Sequence, residues 1–148
     1  MEDSYSILAR HYDSLMADID YASYAGFYEK IIEKYAPSLP KRLIDLGCGT
    51  GSISVLLAEK GYEVTGVDIS CEMLSAALKK ASDRHIRVLL LEQDMAKLDC
   101  GENYGAAICS FDGINYLTKR EELSSCFELS IIHIRRCRRI ALCRSRWS

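Results

Sequence analysis

The chain has no apolar run approaching the roughly 18–20 residues that a bilayer-spanning helix needs, and its first residues, "MEDSYSILARHYD", are acidic where a secretory signal would be basic. A soluble, cytoplasmic protein without a membrane partner is expected. It also lacks any C-x-x-C pair. Its seven cysteines, an odd number, are scattered, and so are its three histidines, His11, His85 and His133. Neither a disulfide framework nor a zinc site is indicated, and no metal is expected. Cys71 and Cys109, set among apolar neighbours, read as buried free thiols. Basic residues are scarce until the end: Met1–Ile134 carries 13 basic and 21 acidic residues, while Arg135–Ser148 adds six arginines and no acid. An acidic body leaves no electrostatic footprint for nucleic acid, and a short arginine tail alone is weak evidence for one.

With 148 residues the chain has room for one domain with a core and not for two. Tyr24, Phe27, Tyr28, Ile31, Ile32 and Tyr35 recur at helical spacing, which predicts a helix stopping near Ala36, because Pro37 disfavours helical geometry in the residue before it. Tyr5–Met16 reads as an earlier amphipathic helix. Residues 1–40 thus read as an N-terminal helical part, 41–134 as a core and 135–148 as a basic tail of different composition.

From Lys41 onward apolar runs alternate with polar loops and amphipathic stretches. The runs are "RLIDL" (Arg42–Leu46), "YEVTGV" (Tyr62–Val67), "IRVLLLE" (Ile86–Glu92) and "YGAAICSF" (Tyr104–Phe111). Between them, Ser70 is placed to N-cap a helix bearing Met73, Leu74, Ala77, Leu78 and Ala81. Thr118-Lys119-Arg120-Glu121 is a capping-box pattern ahead of a helix carrying Leu123, Phe127 and Ile131. Such alternation predicts an α/β fold, a doubly wound parallel sheet whose ligands sit at the carboxyl ends of the strands.

The loop after the first run reads Gly47-Cys48-Gly49-Thr50-Gly51-Ser52. A dinucleotide fingerprint requires its third glycine where Ser52 stands. Asp45 would also set a carboxylate near a pyrophosphate, which favours backbone N–H groups. A ligand without phosphates but with a positive centre reverses that argument, and S-adenosylmethionine, with its sulfonium and ammonium, fits. Glycines at 47, 49 and 51 permit close backbone approach and positive φ. Asp68, at the end of the second run, stands near the separation expected of a ribose-binding carboxylate; either adenosine ligand would use it.

"LIDLGCGTG" resembles the first motif of class I S-adenosylmethionine-dependent methyltransferases, and "GVDIS" their second. The resemblance implies a Rossmann-like methyltransferase fold and a cofactor held by Asp45, Gly47, Cys48, Gly49 and Gly51 of the first motif with Asp68 and Ile69 of the second. "EQDMAKLD" resembles the segment after the third strand that contacts adenine, implying Asp94 and Met95. "AAICSFDGINYL" resembles the fourth-strand motif, with Ser110, Phe111 and Asp112 beside the methyl donor. The N-terminal "YSILARHYDSLMADIDYASYAGFYEKI" is similar to the helical cap of a bacterial subgroup, which implies that Tyr12 closes over the cofactor. Asp112 is the one candidate for a base; Asn115 and Tyr116 are expected to be structural.

Members of that family continue into a fifth strand and an antiparallel pair, whereas this chain reads "SIIHIRRCRRIALCRSRWS" and stops. Its tail reads as a truncated or frameshifted end, since glycine codons read out of frame readily give arginine; the alternative is a native basic helix end with "RIALC" as a rudimentary fifth strand. Missing outer strands imply an exposed sheet edge, low stability and self-association. The functional expectation is methyl transfer to an undetermined, small-molecule acceptor. The alternatives are a non-catalytic S-adenosylmethionine-binding fragment, an NAD-binding Rossmann domain disfavoured by Ser52 and Asp45, and an interaction module using the basic tail.

Overall fold

A computed structural model describes residues 11–101, 103–111 and 113–133. The basic tail and Asp112 lie outside the described residues, as does most of the expected first helix, of which residues 11–15 are helical. The elements that follow are α1 (Tyr21–Tyr35), β1 (Arg42–Leu46), α2 (Ser52–Glu59), β2 (Glu63–Asp68), α3 (Cys71–Asp83), β3 (Leu89–Glu92), β4 (Ala106–Ile108) and α4 (Arg120–His133). Short 3-10 turns occupy Met95–Lys97 and Gly113–Tyr116. Among the described residues no helix is long and apolar enough to cross a membrane.

The four strands are all parallel, in the order β3-β2-β1-β4. β1 is central, pairing Ile44 with Thr65 of β2 and with Ala107 of β4. Alternation along β1 sends neighbouring side chains to opposite faces. Leu43 joins Ala25 of α1, Ile53 and Leu57 of α2, and Val64 of β2 on one face. Ile44 and Leu46 join Val67, Leu98, Tyr104 and Cys126 of α4 on the other. Helices therefore cover both faces, as the alternating pattern requires. Tyr104 is buried, and its hydroxyl lies 3.0 Å from Thr65 Oγ1 and donates to the Cys100 carbonyl at 2.9 Å, so its polar end is satisfied inside the core.

Three strands are shorter or later than the apolar runs, and the helix ends explain two of them. After α2, Gly61 (φ 90°) and Tyr62 turn back to the Ala58 and Leu57 carbonyls, which consumes Tyr62 in the cap and starts β2 at Glu63. After α3, His85 takes the left-handed position (φ 55°), and the His85 and Ile86 amides reach Ser82 and Ala81. Both are six-to-one helix closures. The second delays β3 to Leu89. β4 is confined to Ala106–Ile108 because its partner β1 ends one residue after the Asp45–Ile108 pairing, so residues 109–111 have no ladder to join.

Two helix faces also differ from the expected ones. In α1, Tyr28 and Ile32 pack on the core with Tyr21, whereas Tyr24, Phe27, Ile31 and Tyr35 are exposed. The inward stripe is centred on Ala25. α4 begins at Arg120, one residue later than a Thr118 cap would place it, with the Leu123 amide donating to Lys119 O. It buries Cys126 and Ser130, and exposes Phe127 and Ile131. Cys71 is exposed at the first turn of α3, and Cys109 is only partly buried, so neither is the fully buried thiol expected. Other boundaries agree with the sequence: α1 ends at Tyr35 before Ala36, and Ser70 Oγ caps α3 by accepting from the Met73 amide at 3.2 Å.

Candidate functional site

The chain leaves β1 through a left-handed turn: Gly47, Gly49 and Gly51 all have positive φ, between 54° and 73°. A side chain at any of the three would be strained. The loop is tied to the end of β2 twice. The Cys48 amide donates to the Val67 carbonyl at 3.0 Å, and the Gly49 amide to Asp68 Oδ2 at 2.8 Å. Asp68 Oδ1 accepts from the Ser70 amide at 3.0 Å. Gly66 leaves room for this arrangement, because a Cβ there would meet Cys48 Sγ at 2.9 Å. Burial pushes the Cys48 thiol far up, and the Asp45 and Asp68 carboxylates push the same way; it stays protonated and unreactive.

Loop and strand ends enclose a cavity of about 420 Å³, within the range of small-molecule sites. Asp45, Gly47, Cys48 and Gly49 line it from the first strand and loop, Asp68 and Ile69 from the second strand end. Asp94 and Met95 contribute from the turn after β3, Ser110 from beyond β4, and Tyr12 from the N-terminal helical turn. Among the described residues, one expected residue does not line it. Gly51 instead makes room for α3, where a Cβ would sit 2.8 Å from Ala77 Cβ.

Several lining residues escaped the sequence reading. Met16 lies four residues after Tyr12, a helical spacing that could have flagged it. Gln93 stands beside Asp94, held by a reciprocal pair of bonds with the Asp99 backbone at 2.7 and 2.9 Å. Tyr21 of α1 and Glu122 of α4 are brought in by tertiary packing alone. Tyr116 also lines the cavity, at its exposed rim. Phe111, in a left-handed conformation (φ 54°), stacks edge-on against Tyr21 and Tyr24 with ring centroids 5.7 and 5.2 Å apart. These contacts join α1 to the loop after β4.

The electrostatics of the cavity are one-sided. Among the described residues four acids, Asp45, Asp68, Asp94 and Glu122, line it, and no lysine, arginine or histidine does. Asp94 is partly committed, since its Oδ1 caps the following turn by accepting from the Ala96 amide at 2.9 Å. Asp45 is different. It is 1 % exposed, and its Oδ2 accepts from Ser54 Oγ at 2.6 Å, but Oδ1 has no partner. Ser110 Oγ is the other buried side-chain polar atom without a partner among the described residues. Both belong to residues lining this cavity. Buried polar atoms left unpaired are costly and uncommon, so a donor set that completes them is expected from a ligand.

Burial raises the Asp45 carboxyl to about 7, against the opposing Ser54 hydrogen bond and with help from the Asp68 charge. The ligand-free folded chain therefore holds a proton that the unfolded chain gives up near the ordinary carboxylate value of about 4. Its contribution to stability is complete below that value and is lost as pH rises to about 7. Urea unfolding of the ligand-free protein across this window should show Asp45 costing up to about 4 kcal/mol by its upper end. Asp45→Asn should remove that part of the slope; an unchanged slope would mean that Asp45 is ionised throughout.

Comparison with known proteins gives a consistent picture. A family model described as a methyltransferase domain matches residues 43–130. A putative methyltransferase of Geobacillus sp. (strain WCH70) is 34% identical over 124 residues, covering 84% of this chain and 50% of the relative. The putative methyltransferase YqeM of Bacillus subtilis (strain 168) is 39% identical over 127 residues, covering 84% and 48%. The chain thus spans about half the length of these curated relatives. Among solved structures, an S-adenosylmethionine-dependent methyltransferase from Clostridium acetobutylicum superposes with a TM-score of 0.76 at 29% identity, covering 90% of this chain and 54% of that one. A SAM-bound amino pentose methyltransferase from Micromonospora echinaspora gives 0.74 at 25% identity, covering 84% and 51%. With a matched domain over more than half its length and a glycine loop in the place the fold reserves for ligands, the chain belongs to the class I S-adenosylmethionine-dependent methyltransferase family.

Proposed function

We propose that the cavity binds S-adenosylmethionine and that the chain supplies the cofactor-holding half of a methyltransferase acting on a small-molecule acceptor. The observation that carries this reading is the pair of unpartnered buried oxygens, Asp45 Oδ1 and Ser110 Oγ, in a cavity whose charged lining among the described residues is entirely acidic. An ammonium and a sulfonium suit such a lining, whereas a pyrophosphate would be repelled. The relatives' family membership supports the same cofactor, and an N,N-dimethyltransferase of Streptomyces fradiae acting on a nucleotide-linked amino sugar is among those with small acceptors.

When bound, S-adenosylmethionine supplies an electrophilic methyl group. The residues divide the work of holding it. Asp68 is placed to accept from ribose hydroxyls while its other contacts keep the loop in register. Asp45 and Ser110 offer their free oxygens to the amino acid end, and Met95 and Ile69 offer apolar surface to adenine. Tyr12 and Met16, which also line the cavity, add apolar surface that disfavours water beside the ligand. Alignment of acceptor and donor supplies much of the acceleration in such displacements, so no catalytic side chain is obligatory. Asp112 keeps its standing as the candidate base from the sequence alone.

Because the chain spans half of its relatives' length, a cofactor-binding fragment without turnover is the second reading. Calorimetric titration of the folded chain with S-adenosylmethionine, with NAD as control ligand, decides the first question. Binding of S-adenosylmethionine alone is expected; binding of NAD with equal affinity would overturn the assignment. Methyl transfer to a panel of small amine and hydroxyl acceptors then separates the enzyme from the binder.

A further inference from the structure

The N-terminal helical turn that carries Tyr12 is fastened through Asp13, which does not itself line the cavity, to Thr50, which does, and to Lys80, which does not. Asp13 Oδ1 accepts from Thr50 Oγ1 at 2.6 Å, and Asp13 Oδ2 pairs with Lys80 Nζ at 2.8 Å. Thr50 belongs to the glycine loop and is buried, while Lys80 projects from α3. The Lys80 ammonium donates further to Ser52 Oγ at 2.6 Å and Thr50 Oγ1 at 3.1 Å, so all three of its protons are used. This anchor is stiff. Lys80 lies one helical turn beyond Ala77, which packs against Gly51 so closely that no Cβ would fit between them.

Tyr12 and Met16 line the cavity and are joined by a helical bond from the Met16 amide to the Tyr12 carbonyl at 2.9 Å. Asp13, their neighbour on the same turn, therefore connects two residues that line the cavity to the glycine loop that lines it too. We infer that Asp13 is a positioning residue, a latch to Lys80 and Thr50 that holds Tyr12 and Met16 against the cavity and slows release of the bound ligand. The inference rests on the reading of the cavity as a S-adenosylmethionine site. It accounts for the Asp13–Lys80 pair, neither member of which lines the cavity and which cofactor contact alone does not require. Loss of Asp13 leaves Lys80 its bonds to Thr50 and Ser52, so the core and the loop are expected to stay folded.

The test is the dissociation rate of radiolabelled S-adenosylmethionine chased with excess unlabelled compound, measured for the unaltered chain, Asp13→Ala, and the exchanged pair Asp13→Lys with Lys80→Asp. Asp13→Ala should raise the rate on the order of tenfold, since charge-assisted bonds are removed, with little change in the melting temperature of the ligand-free chain. The exchanged pair should recover part of the loss. Amide hydrogen exchange at Met16 and Ile19, whose amides are bonded to Tyr12 and Met16 carbonyls, should accelerate in ligand-free Asp13→Ala. An unchanged dissociation rate in a folded Asp13→Ala chain would overturn the latch. Failure of the unaltered chain to bind S-adenosylmethionine would overturn the reading of the cavity, and the exchange rates would then decide alone whether Asp13 fastens the segment.

Discussion

Asp68→Ala is expected to weaken S-adenosylmethionine binding by about 1.5–3 kcal/mol, a ten- to hundredfold rise in Kd. The upper end is favoured by what the carboxylate does besides the proposed ribose contact. Its Oδ2 holds the Gly49 amide and its Oδ1 the Ser70 amide, 2.8 and 3.0 Å away. Removing it takes away the proposed acceptor for ribose and frees the middle of the glycine loop together. Asp68→Asn, with one carbonyl oxygen and no charge, should fall between the two. Calorimetric titration of both variants, with circular dichroism to confirm folding, provides the measurement. Unchanged affinity in folded Asp68→Ala would show that ribose is held elsewhere.

The second large effect is on stability. A Cβ added at Gly105 would stand 2.0 Å from the Pro40 carbonyl oxygen and 3.1 Å from its carbon. Neither is the end of a flexible side chain. Relief requires the entry to β4 to move away from the entry to β1, yet the Gly105 amide donates to the Arg42 carbonyl at 2.8 Å and Leu43 pairs with Ala106 immediately beyond. Gly105→Ala should therefore cost about 3 kcal/mol or more, at the high end for overpacking. Gly26→Ala is the control. Gly26 lies inside α1 with nothing within 4 Å of its added Cβ, so alanine there should stabilise by about 0.4–1 kcal/mol. Urea denaturation of the two variants beside the parent would test both signs, and equal midpoints for all three would refute the contact at Pro40.

Both effects depend on distances that the sequence does not state, and they mark the boundary of what could be read from it. The bounds of β1 were legible, because "RLIDL" is a short run rich in aliphatic residues, interrupted only by Asp45 after its first residue, with a turn on either side. The starts of β2 and β3 were not, because each preceding helix closes with a backbone turn that absorbs an apolar residue, Tyr62 in one case and Ile86 in the other. Aromatic periodicity located α1 but misplaced its buried face: the stripe turned inward runs through Ala25, and the larger side chains beside it stay exposed. The same limit applies at α4, where Cys126 and Ser130 are buried and Phe127 is not. At the site, motif spacing named the residues that leave the strand ends. Glu122 and Tyr21 arrive from distant helices, and only packing reveals them.

The order β3-β2-β1-β4 places the two strands that end in the glycine loop and in Asp68 at the centre of the sheet. Among the described residues β3 and β4 each have one ladder where β1 and β2 have two, and thermal fraying starts at such strands. Opening at β3 or β4 removes parts of the cavity wall while β1, β2 and the bonds between Cys48 and Val67 and between Gly49 and Asp68 remain. The ligand cradle is thus predicted to belong to the slowest-exchanging cooperative unit of the molecule. Partially opened forms would then retain an ordered grip on one end of a bound nucleoside, and ligand loss through edge opening would be gradual instead of all-or-none.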